Sequence, residues 1–554
     1  RGLRYPGATP AACNEPEEKR AAPAPRTPSL LKPALTMNPY RILWADDEID
    51  LLKPHIIFLK SKGYDVTTVN NGADALTLAS EKPFDLIILD ENMPGLSGLE
   101  TLDRIKDADP DVPVVMITKS EEEDIMDQAV GSKIADYLIK PVNPRQIFSS
   151  LKKLLHSREL QSETASASYR NRFLQITDSI NRSSTAAEWF ETYRTLTRWE
   201  LELDGTDSTD MAPLLEMQKT EADSAFAKFV RRNYASWMTP GAPGRPVMSP
   251  DVFPSAVAPL LREGHKVLFV LLDNFRLDLW RAIRPRLSDS FDIEERMQCS
   301  ILPTATQYAR NAIFSGLMPA EIARAFPDLW VDEDAPESKN LNEEPLIAQQ
   351  LSRLKLDVPF SYTKINDTEG GERLLRDFHA LESNALNVVV FNFIDMLSHA
   401  RTDSRMIREL ANTDAAYRSI SLSWFRHSAL PELLRRASDA GFRTVITTDH
   451  GSIRVDRPVE VAGEKTTTTA LRYKLGRTLG YNPREVFEIK RPADFGLPSP
   501  QVATAYIFAT GHDFFTYRNN RSHYVRLYSG TLQHGGISLE EMLLPLIILS
   551  PKNK

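Results

Sequence analysis

The chain has 554 residues, 42% hydrophobic and 26% charged, with a formal net charge of −8. At roughly 150 residues per domain this length allows about three or four domains. The apolar share excludes wholesale disorder, and the acidic balance argues against a protein that coats nucleic acid. Two cysteines, Cys13 and Cys299, exclude a disulfide scaffold, a Cys-rich zinc module and a cysteine-ligated iron–sulfur cluster.

Residues 1–36 are dense in Pro, Ala and charge, as in Ala21-Ala22-Pro23-Ala24-Pro25. They lack the apolar h-region and A-x-A site of a secretory signal. Met37 directly precedes the first ordered pattern. The natural start is therefore expected there, with the preceding stretch a leader, misread upstream sequence or cloning remnant. A genuine disordered tail is the alternative. No stretch reaches 18 uninterrupted apolar residues, so no membrane-spanning helix is expected.

Residues 37–155 alternate short apolar runs with amphipathic segments. The runs are Arg41–Ala45, Asp65–Val69, Leu86–Leu89, Val112–Ile117 and Asp136–Ile139. Between them lie helix-length segments at Glu48–Lys62, Gly72–Ser80, Gly98–Ala108, Glu121–Gly131 and Pro144–Leu155. Five strands with interleaved helices predict a parallel (βα)5 sheet. In residues 156–240, Phe173, Ile176, Ile180, Trp189, Tyr193, Leu196, Trp199 and Leu203 recur at helical spacing, with clear helices at Ala187–Leu203 and Thr220–Trp237. A helical bundle connecting two larger units is expected, ending at the turn signal Pro240–Gly244. Residues 241–554 predict a large second α/β unit. Its strands are expected at Val267–Leu272, Phe291–Glu295, Val388–Ile394, Thr444–Thr448, Ala505–Ala509, Tyr524–Leu527 and Leu544–Leu549.

Open α/β sheets hold ligands at the C-terminal ends of their strands. In the first unit Asp46-Asp47 follows the first strand and Asp90 ends the third. Thr118 closes the fourth, and Lys140 closes the fifth before Pro141. Three convergent carboxylates repel unless a hard cation sits among them, and Mg²⁺ suits oxygen ligands. A carboxylate there can accept a phosphoryl group, with a lysine and a hydroxyl binding its oxygens. With Met93-Pro94-Gly95 after Asp90, residues 40–155 resemble a two-component response-regulator receiver domain, a CheY-like fold. The resemblance implies Mg²⁺ on Asp46, Asp47 and Asp90, with Asp90 as phosphoacceptor. It implies Thr118 and Tyr137 as switch residues and Lys140 as phosphate sensor. It also implies a sensor histidine kinase upstream and a homodimer favoured by phosphorylation.

In the second unit Asp273 ends the run Val267–Leu272. Asp395 ends Val388–Ile394, with His399 four residues on, which shares a face if a helix begins there. Asp449-His450-Gly451 ends Thr444–Thr448, and His534-Gly535-Gly536 follows a late turn. The first three groups lie at strand ends of one sheet and can converge. This mix of ligands suits a pair of Zn²⁺ or Mn²⁺ ions, which can clamp the attacking and leaving oxygens of an in-line displacement. Singly, each has a plainer reading. Asp273 would cap a helix at Asn274–Trp280, His399 would be an exposed helical residue, and His534 a solvated turn residue. A nucleophile candidate lies in Leu302–Gln307, which carries the hydroxyls of Thr304 and Thr306.

This ordered set resembles the alkaline phosphatase superfamily, most closely its PglZ-type branch. The resemblance implies two Zn²⁺ ions. Asp273, Asp449 and His450 would hold the one touching the nucleophile, and Asp395, His399 and His534 the other. It implies Thr306, the second Thr of Pro-Thr-x-Thr, as nucleophile, with Thr304 as the alternative, and Asn311 as a phosphate contact. The expected chemistry is in-line attack by Thr306, a phosphothreonine intermediate and its hydrolysis by a metal-bound water. Relatives with a threonine nucleophile favour diesters. Small or cyclic nucleotides fit as substrates, whereas the acidic balance argues against duplex DNA. Arg276, Arg281, Arg284 and Arg286 would face either such an anion or solvent.

Receiver, bundle and PglZ-type domain in this order resemble the PorX-type response regulators of Bacteroidetes-type bacteria. That implies a cytoplasmic regulator of type IX secretion with an extracytoplasmic-function sigma factor as output partner. A competing reading is a phosphorylation-controlled protein-binding effector with a mainly structural metal site. A DNA-binding regulator is disfavoured: no short helix-turn-helix module follows the receiver. Glu188, Glu191, Glu200, Glu202, Asp204, Asp207 and Asp210 also make the bundle acidic.

Overall fold

The computed structural model describes residues 40–109, 112–118, 134–155, 157–204, 211–333, 335, 339–403, 411, 413–463, 470–499, 503–519 and 521–552. The segment 1–36, the helix expected at Glu121–Gly131, and Asp207 and Asp210 lie outside them. The chain divides into two compact units, Arg1–Ser157 and Arg158–Lys554.

The first unit is a five-stranded, all-parallel sheet. Its strands are β1 (Arg41–Ala45), β2 (Asp65–Val69), β3 (Leu86–Asp90), β4 (Val114–Thr118) and β5 (Asp136–Ile139), in the order β2-β1-β3-β4-β5. Successive side chains of β1 and β3 point to opposite faces, and both faces are covered, which is why these strands read as continuous apolar runs. On one face Ile42, Trp44, Leu86 and Ile88 pack with Leu59 of α1 (Lys53–Ser61). On the other, Leu43, Ala45, Ile87 and Leu89 meet Ala75 of α2 (Gly72–Glu81) and Leu102 and Ile105 of α3 (Gly98–Ala108). Helix α4 (Pro144–Leu155) adds Ile147 and Leu151 to the first face. Ser97 and Glu100 form a reciprocal capping box that starts α3 just after the Asp90 loop.

The second unit begins with α5 (Ser157–Arg182), α6 (Ala186–Asp204) and α7 (Ala212–Trp237). These helices do not form a free-standing bundle. Tyr169, Trp189, Trp199 and Phe226 belong to the same continuous apolar cluster as the strands of the following sheet. That sheet contains β6 (Val267–Leu272), β7 (Phe291–Cys299), β8 (Phe360–Ile365), β9 (Leu386–Phe391), β10 (Arg443–Thr447) and β11 (Leu543–Pro551), in the order β7-β11-β10-β6-β9-β8. Strands β10, β6, β9 and β8 run parallel, and β11 runs antiparallel to both its neighbours.

Three local expectations are corrected. Tyr524–Leu527 is not a strand but part of the helix Arg521–Tyr528. Its apolar residues follow a helical spacing: Val525 and Tyr528 pack on the cluster of Ile453, Val455 and Phe514, and the Tyr524 and Tyr528 rings stack at 6.2 Å. Strand β9 stops at Phe391, and the helix Phe393–Asp403 absorbs the end of the run expected to reach Ile394. Strand β7 continues past Glu295 to Cys299, because its full length pairs with β11.

Candidate active site

The ends of β1, β3 and β5 bring the acidic pocket of the first unit together. Asp46, Asp47 and Asp90 offer ligand atoms within 4.8 Å of one another, with Asp46 and Asp90 buried and Asp47 exposed. Lys140 Nζ lies 2.9 Å from both Asp46 Oδ2 and Asp90 Oδ1. Burial raises the Asp90 carboxyl to about 6 against the pull of the Lys140 hydrogen bond, with Asp46 and Asp47 adding to the rise. A dense, partly uncompensated set of carboxylate oxygens is a donor set that fits Mg²⁺. Tyr137 is half-buried against the cluster containing Met93 and Met116. Thr118 ends β4, and its side chain lies outside the described residues.

In the second unit Asp273 follows β6, Asp449 follows β10, and Asp395 lies in the first turn of the helix after β9. Two ligand sets result, each with its atoms within 4.8 Å: Asp273, Asp449 and His450; and Asp395, His450 and His534. His450 belongs to both. His399 sits one helical turn after Asp395, with Nε2 3.3 Å from Asp395 Oδ2. The His450 and His534 rings stack at 4.0 Å, and the His399 ring meets His534 edge-on at 5.5 Å. Thr306 is half-buried, and its Oγ lies 3.0 Å from His450 Nε2. It starts α9, a ten-residue helix (α8 being Leu277–Ile283 and α9 Thr306–Ser315). A helix N-terminus presents amide donors and a positive dipole end to an anion.

The glycines beside these histidines are required sterically. Gly535 has φ +116°, and a Cβ on Gly451 would lie 2.0 Å from the Glu540 carbonyl oxygen. Both ring orientations are fixed through Nδ1. That of His450 faces the Gly451 carbonyl at 3.2 Å, and that of His534 faces the Thr304 carbonyl at 3.0 Å. Nε2 is thereby left as the lone-pair nitrogen of each ring. Burial and the neighbouring His450 push His534 down to about 3, so it is held neutral. Burial opposes ionisation of Asp395, yet the His399 hydrogen bond and nearby imidazoles hold it below the usual carboxylate range. Asp273 Oδ1 is buried without a hydrogen bond, 3.6 Å from His450 Nε2. Carboxylates, imidazoles and an unsatisfied buried oxygen fit divalent zinc.

Comparison with known families matches residues 42–152 to the response regulator receiver domain. Residues 159–238 match the PorX response regulator linker domain, and 252–549 the BREX system PglZ alkaline phosphatase-like domain. The last match covers more than half of the chain. The chain belongs to the PglZ family. Its three matched segments have the PorX-type order of receiver, linker and PglZ domain. The chain is also similar to AlgB, the alginate biosynthesis transcriptional regulatory protein of Pseudomonas syringae pv. tomato, with 36% identity over 129 residues, 23% of this chain and 29% of AlgB. It is 30% identical over 192 residues to the probable transcriptional regulator ycf27 of Cyanidium caldarium, 34% of this chain and 72% of that protein. The chain thus spans less than a third of AlgB. Among solved structures, the chemotaxis protein CheY4 of Vibrio cholerae has 27% identity, covering 21% of this chain and 98% of CheY4, with a TM-score of 0.20.

Within the PglZ domain the other candidates fall elsewhere. Thr304 is fully buried: its Oγ donates to the Gly536 carbonyl at 3.0 Å and accepts from the Gly535 N–H at 2.9 Å. Asn311 turns its amide to the Lys339 carbonyl at 3.3 Å. Asp273 does not cap the next helix, which begins at Leu277 with Arg276 at its N-cap. The arginines after Asp273 are drawn into ion pairs. Arg276 binds Asp278 at 2.6 Å, and Arg281 and Arg284 bind Glu295 at 2.5 and 3.6 Å. Arg286 is exposed.

Arg310 escaped sequence reasoning. It lies one turn after Thr306 on α9, fully buried, and binds Asp273, Asp449 (2.8 Å) and Glu343 (3.4 Å) of α10 (Glu343–Arg353). Asn274 was also missed. It adopts φ 60°, which asparagine tolerates, and donates to Asp395 Oδ1 at 3.3 Å, tying the two ligand sets together. The i,i+4 spacing of Thr306 and Arg310 was the one available signal for the arginine.

Proposed function

We propose that this response regulator carries a zinc-dependent phosphodiesterase as its effector, with Thr306 as nucleophile and phosphorylation of Asp90 as its control. The observation that carries the reading is the position of the Thr306 hydroxyl. It lies 3.0 Å from the histidine common to both ligand sets, at the N-terminus of α9. Asp273, Asp449 and His450 would hold one ion, and Asp395, His534 and His399 the other. Bound there, divalent zinc would supply Lewis acidity toward the hydroxyl and the phosphoryl oxygens.

The protein's own groups do the rest. The Thr306 hydroxyl rests against His450 Nε2 at 3.0 Å, and once that nitrogen held the ion the hydroxyl would be free to give up its proton. Oγ attacks phosphorus and the bond to the leaving alcohol breaks, the Oγ proton going to that alcohol, which gives a phosphodiester between Thr306 and the retained alcohol. Water then cleaves that ester, restoring Thr306 and releasing a monoester. Arg310 holds Asp273 and Asp449 in place and balances their charge. Small or cyclic nucleotides fit as substrates of this chemistry.

In the receiver, a histidine kinase would phosphorylate Asp90, Lys140 would follow the phosphoryl group, and Thr118 and Tyr137 would relay the change. A phosphorylation-favoured homodimer, a sigma-factor partner and control of type IX secretion complete the reading. The test is zinc-dependent hydrolysis of bis(p-nitrophenyl) phosphate by the full chain and by Thr306→Ala. Turnover lost in the variant supports the enzyme. Two bound zinc ions without turnover in either protein would shift the function to a binding effector with a structural metal site.

A further inference from the structure

Helix α7 belongs to the linker segment, yet one of its faces grips both loops of the proposed active site. Near its C-terminal end, Tyr234 Oη accepts a hydrogen bond from the Leu302 N–H at 2.7 Å, four residues before Thr306. Three turns earlier, Asp223 Oδ1 accepts from the Leu539 N–H at 2.8 Å, five residues after His534. Eleven residues of α-helix place these side chains about 20° apart in azimuth and roughly 16 Å apart along the axis. Both side chains are buried, and Lys219, one turn before Asp223, adds an ion pair to Glu540 at 3.4 Å.

The two gripped segments are also tied to each other. Thr304 Oγ bonds both Gly535 and Gly536, and His534 Nδ1 bonds the Thr304 carbonyl. Glu541 closes the second loop by accepting from the Gly536 N–H at 2.8 Å and the Ser538 hydroxyl at 2.7 Å. The helix is therefore a third side to a rigid frame: α7, the 302–306 segment and the 534–541 segment.

We propose that Tyr234 and Asp223 are positioning residues, through which the linker helix sets the Thr306 hydroxyl against the His534 side of the metal site. This rests on the phosphodiesterase reading. Neither residue touches the reacting atoms. Each fixes a backbone amide of the loop that presents one of them, and a misplacement of about 1 Å in such a loop costs on the order of a hundredfold in rate. Burial and the adjacent Glu540 carboxylate hold the Asp223 carboxyl well above its usual range, and asparagine keeps its shape and its acceptor oxygen there.

The experiment uses the full chain with zinc and bis(p-nitrophenyl) phosphate. Tyr234→Phe keeps the ring against Phe495 and Trp237 but leaves the Leu302 N–H without its acceptor. Its kcat should fall about tenfold or more, with KM within about twofold and bound zinc per chain unchanged. Asp223→Ala should behave alike, and Asp223→Asn should recover to within about threefold of the parent, because its carboxamide oxygen still accepts from Leu539. Amide hydrogen exchange, read on the same proteins, should accelerate in 300–306 for Tyr234→Phe and in 534–541 for Asp223→Ala. Unchanged kcat in both variants, with an active parent, overturns the proposal whatever the exchange shows. A parent without zinc-dependent turnover sinks the phosphodiesterase reading instead. Exchange then decides the positioning role, and unchanged exchange in both segments overturns it. If Asp223→Ala does not fold, Tyr234→Phe alone carries the decision.

Discussion

Thr304 and Thr306 are two residues apart and both carry hydroxyls at the loop after β7, so replacing each by the isosteric valine should separate structure from chemistry. Thr304 Oγ satisfies a buried amide and a buried carbonyl, Gly535 N–H at 2.9 Å and Gly536 O at 3.0 Å. Thr304→Val strands both groups, at about 1–3 kcal/mol each, so the second unit should lose about 2–6 kcal/mol. Thr306 is half-buried, with one hydrogen bond to His450. Thr306→Val strands only the buried His450 Nε2, so it should cost about 1–3 kcal/mol, less than Thr304→Val. Turnover should rank the other way: about a thousandfold loss for Thr306→Val, and about tenfold for Thr304→Val through displacement of the loop. Urea unfolding followed by tryptophan fluorescence gives the stabilities, since every tryptophan but Trp44 lies in the second unit. Steady-state hydrolysis gives the rates. A stable but dead Thr304→Val protein beside an active Thr306→Val protein would refute the assignment of the nucleophile and the clamp together.

Arg310→Met leaves Asp273, Asp449 and Glu343 buried without their shared cation, so the zinc-free protein should lose about 3–5 kcal/mol. Added zinc should raise the melting temperature of this variant more than that of the parent, and equal shifts would mean that the guanidinium does not neutralise the site. Burial holds the Lys474 ammonium down to about 8, against the opposing pull of Glu333. The unfolded chain titrates this group near 10.4, so between about pH 8 and 10.4 it binds more protons than the folded chain and stability should rise with pH. Lys474→Met should remove that rise from urea midpoints measured across the window. Acetyl phosphate with Mg²⁺ should increase the sedimentation coefficient of the parent but not of Asp90→Ala. An unchanged monomer in both would exclude the dimer switch without touching the enzyme.

Much of the site was legible because open α/β sheets place their chemistry at strand ends. Reading the apolar runs was enough to put Asp90, Asp273 and Asp449 where they stand. The i,i+4 pair Asp395–His399 was legible as well, since the structure does start a helix there, at Phe393. What escaped depended on tertiary partners. Periodicity over four residues could not tell that Val525 and Tyr528 share a helical face, because the surface they cover comes from residues 453–514. The arginines after Asp273 suggested an anion or solvent. The partners that hold Arg281 and Arg284, both at Glu295, come from β7. Arg310 carries no motif, and its role is visible only when three carboxylates from separate elements converge on it. His450 was assignable to one ligand set by order along the chain. Its membership of both is a property of the stacked geometry with His534.

The acidic residues of the linker helices have a structural counterpart in the PglZ domain. Arg418, on α12 (Asp414–His427, α11 being Phe393–Asp403), reaches Glu200 at 2.6 Å and Asp204 on α6, and Asp278 on α8 at 2.8 Å. Lys219 on α7 joins Glu200 at 3.1 Å to Glu540. Burial opposes the charge on Glu200, but Lys219 and Arg418 together hold it down at about 2. Breaking one member out of such a desolvated network costs about 3–5 kcal/mol. The apolar core beneath it is continuous, so no soft layer separates linker from sheet. A displacement of α7 is therefore not absorbed at this interface. It must be passed to whatever α7 holds, and α7 holds the amides of Leu302 and Leu539.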